Sequence, residues 1–278
     1  MPELPEVETV KLTLQQLVIG KTIKEITVHW GKIIKLPDDV AEFCHLLEAQ
    51  TIINVERRAK FLKIFFNDYV LLSHLRMEGR YGMFSEGEPI DKHTHVIFQF
   101  TDGTELRYQD VRKFGTMHLF LKGEEDSSLP LAQLGIEPFD EKFSPKMLKQ
   151  LFQGTNRKVK VTLLDQTKLV GLGNIYVDEA LFRSCIYPER IGKDLTLKEI
   201  KKLHLEIKAT LKEAIDMGGS SVKSYVNGQG EMGMFQQQLF VYGRKGEPCK
   251  VCGWAIEKII VGGRGTHYCP KCQGKRGK

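Results

Sequence analysis

The sequence predicts an α+β protein of several domains, with a strand-rich N-terminal part, a helical middle part and a cysteine-rich end. Three observations support this prediction. Short strand patterns fill residues 22–121, helical periodicity dominates residues 144–217, and two Cys-x2-Cys pairs lie near the C-terminus. The 278 residues are enough for two domains with separate cores.

The N-terminal part predicts one helix followed by seven strands. Apolar residues at helical spacing run from Pro5 to about Ile19, and Gly20 ends that helix. The many short strands that follow favour a β-sandwich or barrel. The predicted strands are residues 23–30, 51–57, 61–66, 69–75, 94–100, 105–108 and 116–121.

The second half predicts helices until about Met217. Ser144-Pro145 is a good N-cap and first-turn pair, and Thr196 to Glu199 form a capping box. Predicted helices cover residues 146–152, 158–164, 174–185 and 196–217. Glycine-rich residues after 218 predict either a surface loop or a lid that closes on a ligand. The predicted divisions are an N-terminal domain 1–121, a linker 122–143, a helical domain 144–239 with a loop at 218–237, a zinc hairpin 240–274 and a basic tail 275–278.

Positive charge is concentrated at the C-terminal end. The formal net charge is +6, and residues 240–278 contain nine Lys or Arg against two Glu, which gives +7. A basic segment on a near-neutral body favours a polyanionic partner, most simply nucleic acid. No apolar run is long enough to cross a bilayer, and the acidic start is unlike a signal peptide, so we expect a cytoplasmic monomer without membrane contact.

The first six residues, MPELPE, place an unusual nucleophile at the chain end. If Met1 is removed, Pro2 has a secondary amine that can attack a sugar carbon and collapse to an iminium. With Met1 attached, the same nitrogen is a tertiary amide and is not nucleophilic. Glu3 is close enough to transfer protons for that amine. The alternative interpretation is that Pro5 and its acidic neighbours only open a helix.

Two cysteine pairs separated by sixteen residues predict a zinc site on a β-hairpin. Disulfides are the alternative, which a reducing cytoplasm disfavours. Four protein ligands would close the coordination sphere, so the zinc would be structural. Cys44 and Cys185 remain, and we expect both to be buried or inert thiols. The predicted ligands are Cys249, Cys252, Cys269 and Cys272.

Several polar residues beside glycine or apolar neighbours are candidates for DNA contacts. Arg264 lies in the predicted hairpin tip, residues 262–265, where its guanidinium would suit a phosphate. Asn174 follows a glycine turn and would begin a helix whose free N–H groups can bind an anion. Met77 and Phe114 lie near cations and could enter a base stack, although such residues are more often part of a core.

These residues together resemble the formamidopyrimidine-DNA glycosylase family. The resemblance covers nearly the whole chain: PELPEVET at residues 2–9, GLGNIY at 171–176, and Q-x3-YGR at 238–244 with the cysteine pairs. It implies an N-terminal β-sandwich flanked by helices, a helix-two-turn-helix domain and a zinc finger. The implied partner is double-stranded DNA that contains an oxidised purine or an abasic site and lies in the cleft between the two halves.

The resemblance also implies a chemistry. The enzyme would excise 8-oxoguanine or formamidopyrimidines through a Schiff base on Pro2, and then cut the strand by β- and δ-elimination. Glu3 would be the general acid and base, Lys60 would assist base release and β-elimination, and Arg264 would assist the δ step. Glu6 would support the nucleophile.

Further roles follow from the same resemblance. The residues implied to contact the DNA backbone are His74, His93, Arg112, Lys160, Asn174, Tyr242 and Arg264. The residues implied to fill the gap left by the flipped base are Met77, Arg112 and Phe114. The residues implied to contact the lesion are Glu78, Ser220, Val222, Lys223, Ser224 and Tyr225.

Two other interpretations compete with this one. An endonuclease VIII-like glycosylase would prefer oxidised pyrimidines, but Leu4 and the long glycine-rich loop argue against it. A non-catalytic zinc-ribbon DNA-binding protein would explain the charge and the cysteines, but it has no need of Pro2, Glu3 and Lys60.

Overall fold

The computed structural model describes residues 1–220 and 233–274. The chain forms two compact units. Unit 1 comprises Met1–Gln133 and Met217–Met234, and unit 2 comprises Leu134–Asp216 and Phe235–Lys278.

The described part of unit 1 contains two sheets and two α-helices. One sheet has the order β1-β7-β8-β6 and the other has the order β2-β9-β5-β4-β3. All neighbours are antiparallel except β2 and β9. The elements are α1 (Leu4–Val18), β1 (Ile23–Val28), β2 (Ile34–Leu36), α2 (Val40–Leu47), β3 (Asn54–Arg58), β4 (Phe61–Phe65), β5 (Tyr69–His74), β6 (Arg80–Ser85), β7 (Thr94–Phe100), β8 (Thr104–Gln109) and β9 (Thr116–Leu121).

A single apolar core holds unit 1 together. Helix α1 contributes a stripe of buried side chains, Val7, Val10, Leu14 and Val18, to the same cluster as the two sheets. Full burial of each such side chain stabilises the fold by roughly 1.5–3 kcal/mol. The helix is therefore fixed on the sandwich, and its first turn carries Pro2 and Glu3 at a defined place.

The strand prediction was correct for seven strands and missed three elements. Strand β2 has only three residues, and β6 contains Gly82 and is mostly half-buried, so neither gives a strong alternating pattern. Helix α2 is short, with Asp39 as its N-cap, and was also missed. Because α2 has only eight residues, its periodicity is too short to predict a helix.

Within its described residues, unit 2 contains four α-helices and one β-hairpin. The elements are α3 (Pro145–Phe152), α4 (Val159–Leu163), α5 (Asn174–Arg183), α6 (Leu197–Asp216), β10 (Glu257–Val261) and β11 (Arg264–Tyr268). The predicted caps are confirmed: the Ser144 hydroxyl accepts a hydrogen bond from Met147 N–H, and the Glu199 carboxylate accepts one from Thr196 N–H. Helix α6 packs against α5 and α3, and α5 packs against β11.

Three predicted divisions differ from the structure. The first part of the predicted linker belongs to unit 1, where buried Glu125 pairs with Lys63 at 3.1 Å. The predicted loop 218–237 is divided, because the Glu6 carboxylate accepts a hydrogen bond from Ser220 N–H and holds its first part in unit 1. The hairpin belongs to the same unit as the helices, since β11 packs on α5.

Two smaller expectations also need correction. Cys185 is exposed, with Lys202 Nζ at 3.4 Å from its sulfur, so it is not a buried thiol. Arg264 is the first residue of β11 and pairs with Val261, which leaves Gly262 and Gly263 as the hairpin tip. Among the described residues, no helix is long and apolar enough to span a membrane.

Candidate DNA-binding and catalytic site

The N-terminal Pro-Glu pair is held by the first turn of α1. Glu3 is the N-cap of this helix and forms a capping box with Glu6. The Glu3 N–H donates to Glu6 Oε2 at 2.8 Å, and Ser220 N–H donates to Glu6 Oε1 at 2.7 Å. Pro2 and Glu3 are buried, whereas Met1 is exposed. One carboxylate therefore positions both the N-terminus and the base of the glycine-rich loop.

Lys60 lies in the turn between β3 and β4 and is only 6% exposed. Arg57 shapes this turn, because its guanidinium donates to Glu8 Oε2 on α1 and to the Ala59 carbonyl, each at 2.8 Å. Ala59 has a φ of 54°, which lies in the left-handed region. The same arginine thus connects the first turns of α1 to the residue that precedes Lys60.

The strand register brings three predicted site regions to one end of the five-stranded sheet. Phe61, which follows Lys60, is paired with His74, and His74 is paired with Thr116 on the other side. The loop after β5 and the loop before β9 therefore leave the sheet at the end where Lys60 lies. No local sequence pattern predicts this register.

His74 is a neutral imidazole at this end of the sheet. Burial lowers its pKa to about 3, and the nearby positive charges of Arg76 and Lys60 act in the same direction. Its Nδ1 accepts a hydrogen bond from Arg76 N–H at 2.9 Å. The proton of the ring is consequently on Nε2, which leaves a neutral donor suited to a phosphate oxygen.

Met77 and Phe114, which are predicted to enter the base stack and are called the wedge here, lie on two loops that meet around Tyr108. A Cβ on Gly79 would lie 2.2 Å from Tyr108 Oη, and one on Gly115 would lie 1.8 Å from it. Met77 is 37% exposed and Phe114 is 52% exposed, so neither is a core residue. Glu78 is exposed beside Met77.

Asp110 fixes the shape of the loop before β9. Its buried carboxylate accepts hydrogen bonds from the backbone N–H groups of Arg112, Phe114 and Gly115 at 2.8 to 2.9 Å. The exposed Arg112 guanidinium lies 4.8 Å from the centre of the Phe114 ring. The backbone N–H of Asp110 bonds to the carbonyl of half-buried His93. The predicted wedge is thus a rigid, partly apolar projection with a cation beside it.

In unit 2, helices α4 and α5 and the hairpin β10–β11 bring together three predicted DNA contacts, Lys160, Asn174 and Arg264. The Asn174 amide donates to the Gly265 carbonyl at 2.7 Å, next to exposed Arg264. Lys160 has no exposed surface, and its Nζ lies 2.6 Å from Asp178 Oδ1. Its charge is therefore neutralised inside the unit instead of being presented on the surface.

Glu179 holds the segment that carries Tyr242. Its fully buried carboxylate accepts the backbone N–H groups of Phe240, Val241 and Tyr242 at 2.8 to 2.9 Å. Burial raises the pKa of this carboxyl, although the three hydrogen bonds oppose the effect. The Tyr242 ring lies 5.1 Å from the ring of His267 on β11.

Four cysteines form the predicted metal centre. Their sulfur atoms all lie within 4.8 Å of one another, close to the roughly 3.8 Å separation expected around tetrahedral zinc. Backbone N–H groups of Val251 and Cys272 point at Cys249 and Cys269 sulfurs at 3.4 Å, which would stabilise thiolates. The four residues fit one structural Zn²⁺, and the sequence prediction is confirmed.

Sequence reasoning missed the three buried carboxylates that shape the site, Asp110, Asp178 and Glu179. Each of these carboxylates lies near a predicted contact residue. They accept hydrogen bonds from backbone N–H groups, and no sequence motif predicts such bonds. Four predicted lesion contacts lie outside the described residues: Val222, Lys223, Ser224 and Tyr225.

Together, a terminal Pro-Glu pair, a buried lysine, an exposed wedge and a zinc hairpin define a DNA-processing enzyme of the base excision type. Comparisons with known proteins agree. Residues 1–117 match the formamidopyrimidine-DNA glycosylase N-terminal domain, residues 134–226 match the H2TH domain of the same enzymes, and residues 246–274 match the zinc finger found in FPG and IleRS.

Similar proteins cover the full chain. Formamidopyrimidine-DNA glycosylases of Cytobacillus firmus and Shouchella clausii are 66% and 64% identical over 98% of this chain, and cover 100% and 99% of their own lengths. A Lactococcus lactis Fpg bound to DNA with an abasic site has a TM-score of 0.93 and 39% identity, and the match covers 98% of this chain and 100% of that one. The chain belongs to the formamidopyrimidine-DNA glycosylase family.

Proposed function

We propose that this protein removes oxidised purines, such as 8-oxoguanine and formamidopyrimidines, from duplex DNA and then cleaves the strand at the abasic site. The observation that carries the proposal is the arrangement of the N-terminus, where buried Glu3 and Glu6 fix the backbone next to Pro2. A protein that only bound DNA would have no use for this arrangement. We place the activity in the cytoplasm.

The first step is an attack of the Pro2 nitrogen on C1′ of the damaged nucleotide. The bond from C1′ to the base breaks, and the base leaves with the bonding electrons. Glu3 protonates the ring oxygen as the sugar opens, which yields an iminium between Pro2 and C1′. Lys60, in the turn fixed by Arg57, assists this step and the next.

Two eliminations follow. The iminium makes the C2′ proton acidic, and its removal expels the phosphate on the 3′ side. A further proton loss at C4′ expels the phosphate on the 5′ side, and we assign the assistance of this δ step to Arg264. Hydrolysis of the iminium then returns the free Pro2 amine.

The wedge keeps the damaged base out of the duplex. Unstacking a base costs a few kcal/mol, and insertion of Met77 and Phe114 would compensate part of that cost. Arg112 would pair with the orphaned cytosine. Neutral His74, together with His93, Asn174, Tyr242 and Arg264, would hold the backbone around the lesion.

The glycine-rich loop is assigned to recognition of the flipped base. At the start of this loop, the backbone N–H of Ser220 donates a hydrogen bond to the Glu6 carboxylate. Glu78 is exposed next to the wedge residue Met77. A backbone carbonyl of the loop could accept the N7–H of 8-oxoguanine, which guanine lacks. One such bond separates lesion from normal base by only about 1–3 kcal/mol, so kinetic gating must add to selectivity. A Ser220→Gly variant that discriminates as well as the parent would exclude this role.

Oxidised pyrimidines are a second substrate class to test. A Lactococcus lactis Fpg structure, 39% identical to this chain, contains DNA with an oxidised pyrimidine. Comparison of excision rates for both lesion types opposite the same base would rank them, and a faster rate for pyrimidines would favour an endonuclease VIII-like function.

The decisive experiment is borohydride trapping. Mature protein is incubated with duplex DNA containing 8-oxoguanine opposite cytosine, borohydride is added, and the covalent complex is mapped by mass spectrometry. We expect an adduct on Pro2. The matched control is the same protein with Met1 retained, which should bind the DNA but form no adduct. The proposal would be contradicted if zinc-loaded protein without Met1 bound the DNA but neither formed an adduct nor cleaved the strand.

A further inference from the structure

The buried pair Lys160–Asp178 in unit 2 has no part in the chemistry proposed above. Both side chains are completely buried, and their charged atoms are 2.6 Å apart. Burying two charges costs several kcal/mol each, and the Coulomb attraction compensates only when the geometry is good and the remaining lone pairs are hydrogen-bonded. Such a pair is therefore a poor way to gain stability alone, and its other contacts show what it organises.

Two further hydrogen bonds of the pair reach β11, the strand that begins with Arg264. Asp178 Oδ2 accepts the backbone N–H of His267 at 2.8 Å. Lys160 Nζ lies 3.4 Å from the Gly265 carbonyl, which also accepts the Asn174 amide at 2.7 Å. Two backbone positions of β11 are thus attached to α4 and α5 through polar side chains.

The hairpin tip is also packed closely against α4. A Cβ on Gly262 would lie 2.7 Å from Val161 Cγ2, so only glycine allows this approach. The backbone on both sides of Arg264 is consequently fixed, by packing at Gly262 and by hydrogen bonds at Gly265 and His267.

The Arg264 side chain itself has much less support. Within residues 1–220 and 233–274, its guanidinium makes no hydrogen bond or ion pair, and the residue is exposed. It borders a cavity of about 390 Å³ that is also lined by Arg157, Val161 and Asp165. Because the side chain has room to move, its position depends on where the backbone holds its Cα.

We propose that Asp178 is a positioning residue for the δ-elimination step, acting through Lys160 and the β11 backbone to place Arg264. Lys160 then serves the reaction from inside the unit and not as a phosphate contact. This inference rests on the role assigned to Arg264 under the proposed function. It predicts an unequal effect on the two eliminations, because only the δ step depends on Arg264.

The test measures both cleavage products on an abasic-site duplex in single-turnover conditions. In Asp178→Asn, a single amide oxygen must replace two carboxylate oxygens, one of which accepts from the Lys160 ammonium and the other from the His267 N–H, so at least one of these two bonds is lost. We expect the δ-to-β product ratio to fall at least tenfold, while the β rate changes less than threefold and one zinc per chain remains. A purely structural role would instead lower both rates and the zinc content together.

Two further variants make the result unambiguous. The control variant is Glu213→Gln, which removes the charge of an exposed ion-pair partner of Arg183. Arg183 lies on α5, as Asp178 does, and we expect this variant to leave the δ-to-β product ratio unchanged. The double variant Lys160→Met with Asp178→Asn contains no buried unpaired charge and keeps an acceptor for His267 N–H, so it should fold. It lacks the Lys160 contact with Gly265, and we expect a ratio between those of the parent and Asp178→Asn.

The outcomes separate the inference from the proposed function. A folded, zinc-loaded variant of either kind with the parental ratio overturns the inference. Arg264→Ala is the reference: if it retains δ-elimination, the role assigned to Arg264 is wrong, and any effect of Asp178 does not act through it. Loss of the δ product in both Arg264→Ala and Asp178→Asn supports the role assigned to Arg264 and the inference about Asp178.

Discussion

His74 shows how burial decides the charge that a candidate contact residue carries. A surface histidine near a phosphate would bind most strongly when protonated. Here burial and two neighbouring cations keep the ring neutral, and the Arg76 backbone selects the tautomer. The residue can therefore donate a hydrogen bond to DNA without any dependence on pH near neutrality.

We expect His74 not to titrate between pH 5 and 8 in the folded protein. Its folded pKa is about 3, below the value of about 6.5 in an unfolded chain, so the unfolded state binds more protons between these values. The contribution of His74 to stability is thus complete above about pH 6.5 and is lost as the pH falls toward 3. NMR of the ring carbons would measure this, with the urea-unfolded chain as the control. A folded-state midpoint near 6.5 would contradict it.

The hydrogen bonds of Arg57 should contribute both to the stability of the fold and to the rate of excision. Arg57→Met removes hydrogen bonds to Glu8 and to the Ala59 carbonyl, so we expect a loss of about 1–3 kcal/mol in the free energy of unfolding. The turn before Lys60 would loosen, and single-turnover excision should slow by roughly tenfold or more.

The matched control for Arg57 is another cation in unit 1. Lys24 forms an exposed pair with Glu86, and Lys24→Met should change stability by less than about 1 kcal/mol and leave the rate unchanged. Urea unfolding and quenched-flow kinetics would provide both values. Equal effects of the two variants would show that the Arg57 contacts do not position Lys60.

At the scale of the element, the wedge depends on two loops that share one aromatic ring. Tyr108 on β8 lies against Gly79 of one loop and Gly115 of the other, and Asp110 binds the backbone of the second loop. Hydrogen bonds to an ionised carboxylate contribute more than neutral ones, so three of them on one side chain make a rigid loop. Rigidity suits a projection that must enter a base stack.

Gly115→Ala should deform the wedge. Its Cβ would lie 1.8 Å from Tyr108 Oη, and relief requires movement of the loop or the ring, at a cost of about 1–3 kcal/mol. We expect weaker extrusion of the damaged base, measured by 2-aminopurine fluorescence, together with lower stability. Adding Tyr108→Phe removes the nearest atom and should recover part of both. No recovery in the double variant would show that the clash is not with the hydroxyl.

At the scale of the whole molecule, one metal centre supports the hairpin that carries the positive end of the chain. Without a metal, four thiolates would repel one another, and the two strands of the hairpin have little core of their own. Zinc therefore contributes indirectly to DNA binding, because it maintains the strand on which Arg264 lies.

Removal of zinc should abolish DNA binding and leave unit 1 folded. Chelation at neutral pH is expected to weaken affinity for an abasic-site duplex by at least about a hundredfold, and added Zn²⁺ should restore it. Cys249→Ser should behave like the chelated protein, whereas Cys185→Ser, at an exposed cysteine outside the centre, should not. Zinc-free protein with parental affinity would contradict this structural role.

The amino-acid sequence alone was enough to predict the metal centre and most elements of the fold. The cysteine spacing predicted the metal centre, helix caps marked Ser144 and Thr196, and alternating patterns located seven strands, because each of these signals depends on residues close in the chain. The Pro2-Glu3 pair was also recognisable from the sequence, and its catalytic role stays a prediction.

Only the tertiary structure decided which residues act together. The register that places Lys60 beside His74, the burial that keeps His74 neutral, and the carboxylates of Asp110 and Asp178 that bind backbone groups have no local signature. They depend on pairing and burial between residues distant in sequence. Lys160, predicted from the sequence to contact DNA, is completely buried, and its ammonium group is paired with the Asp178 carboxylate.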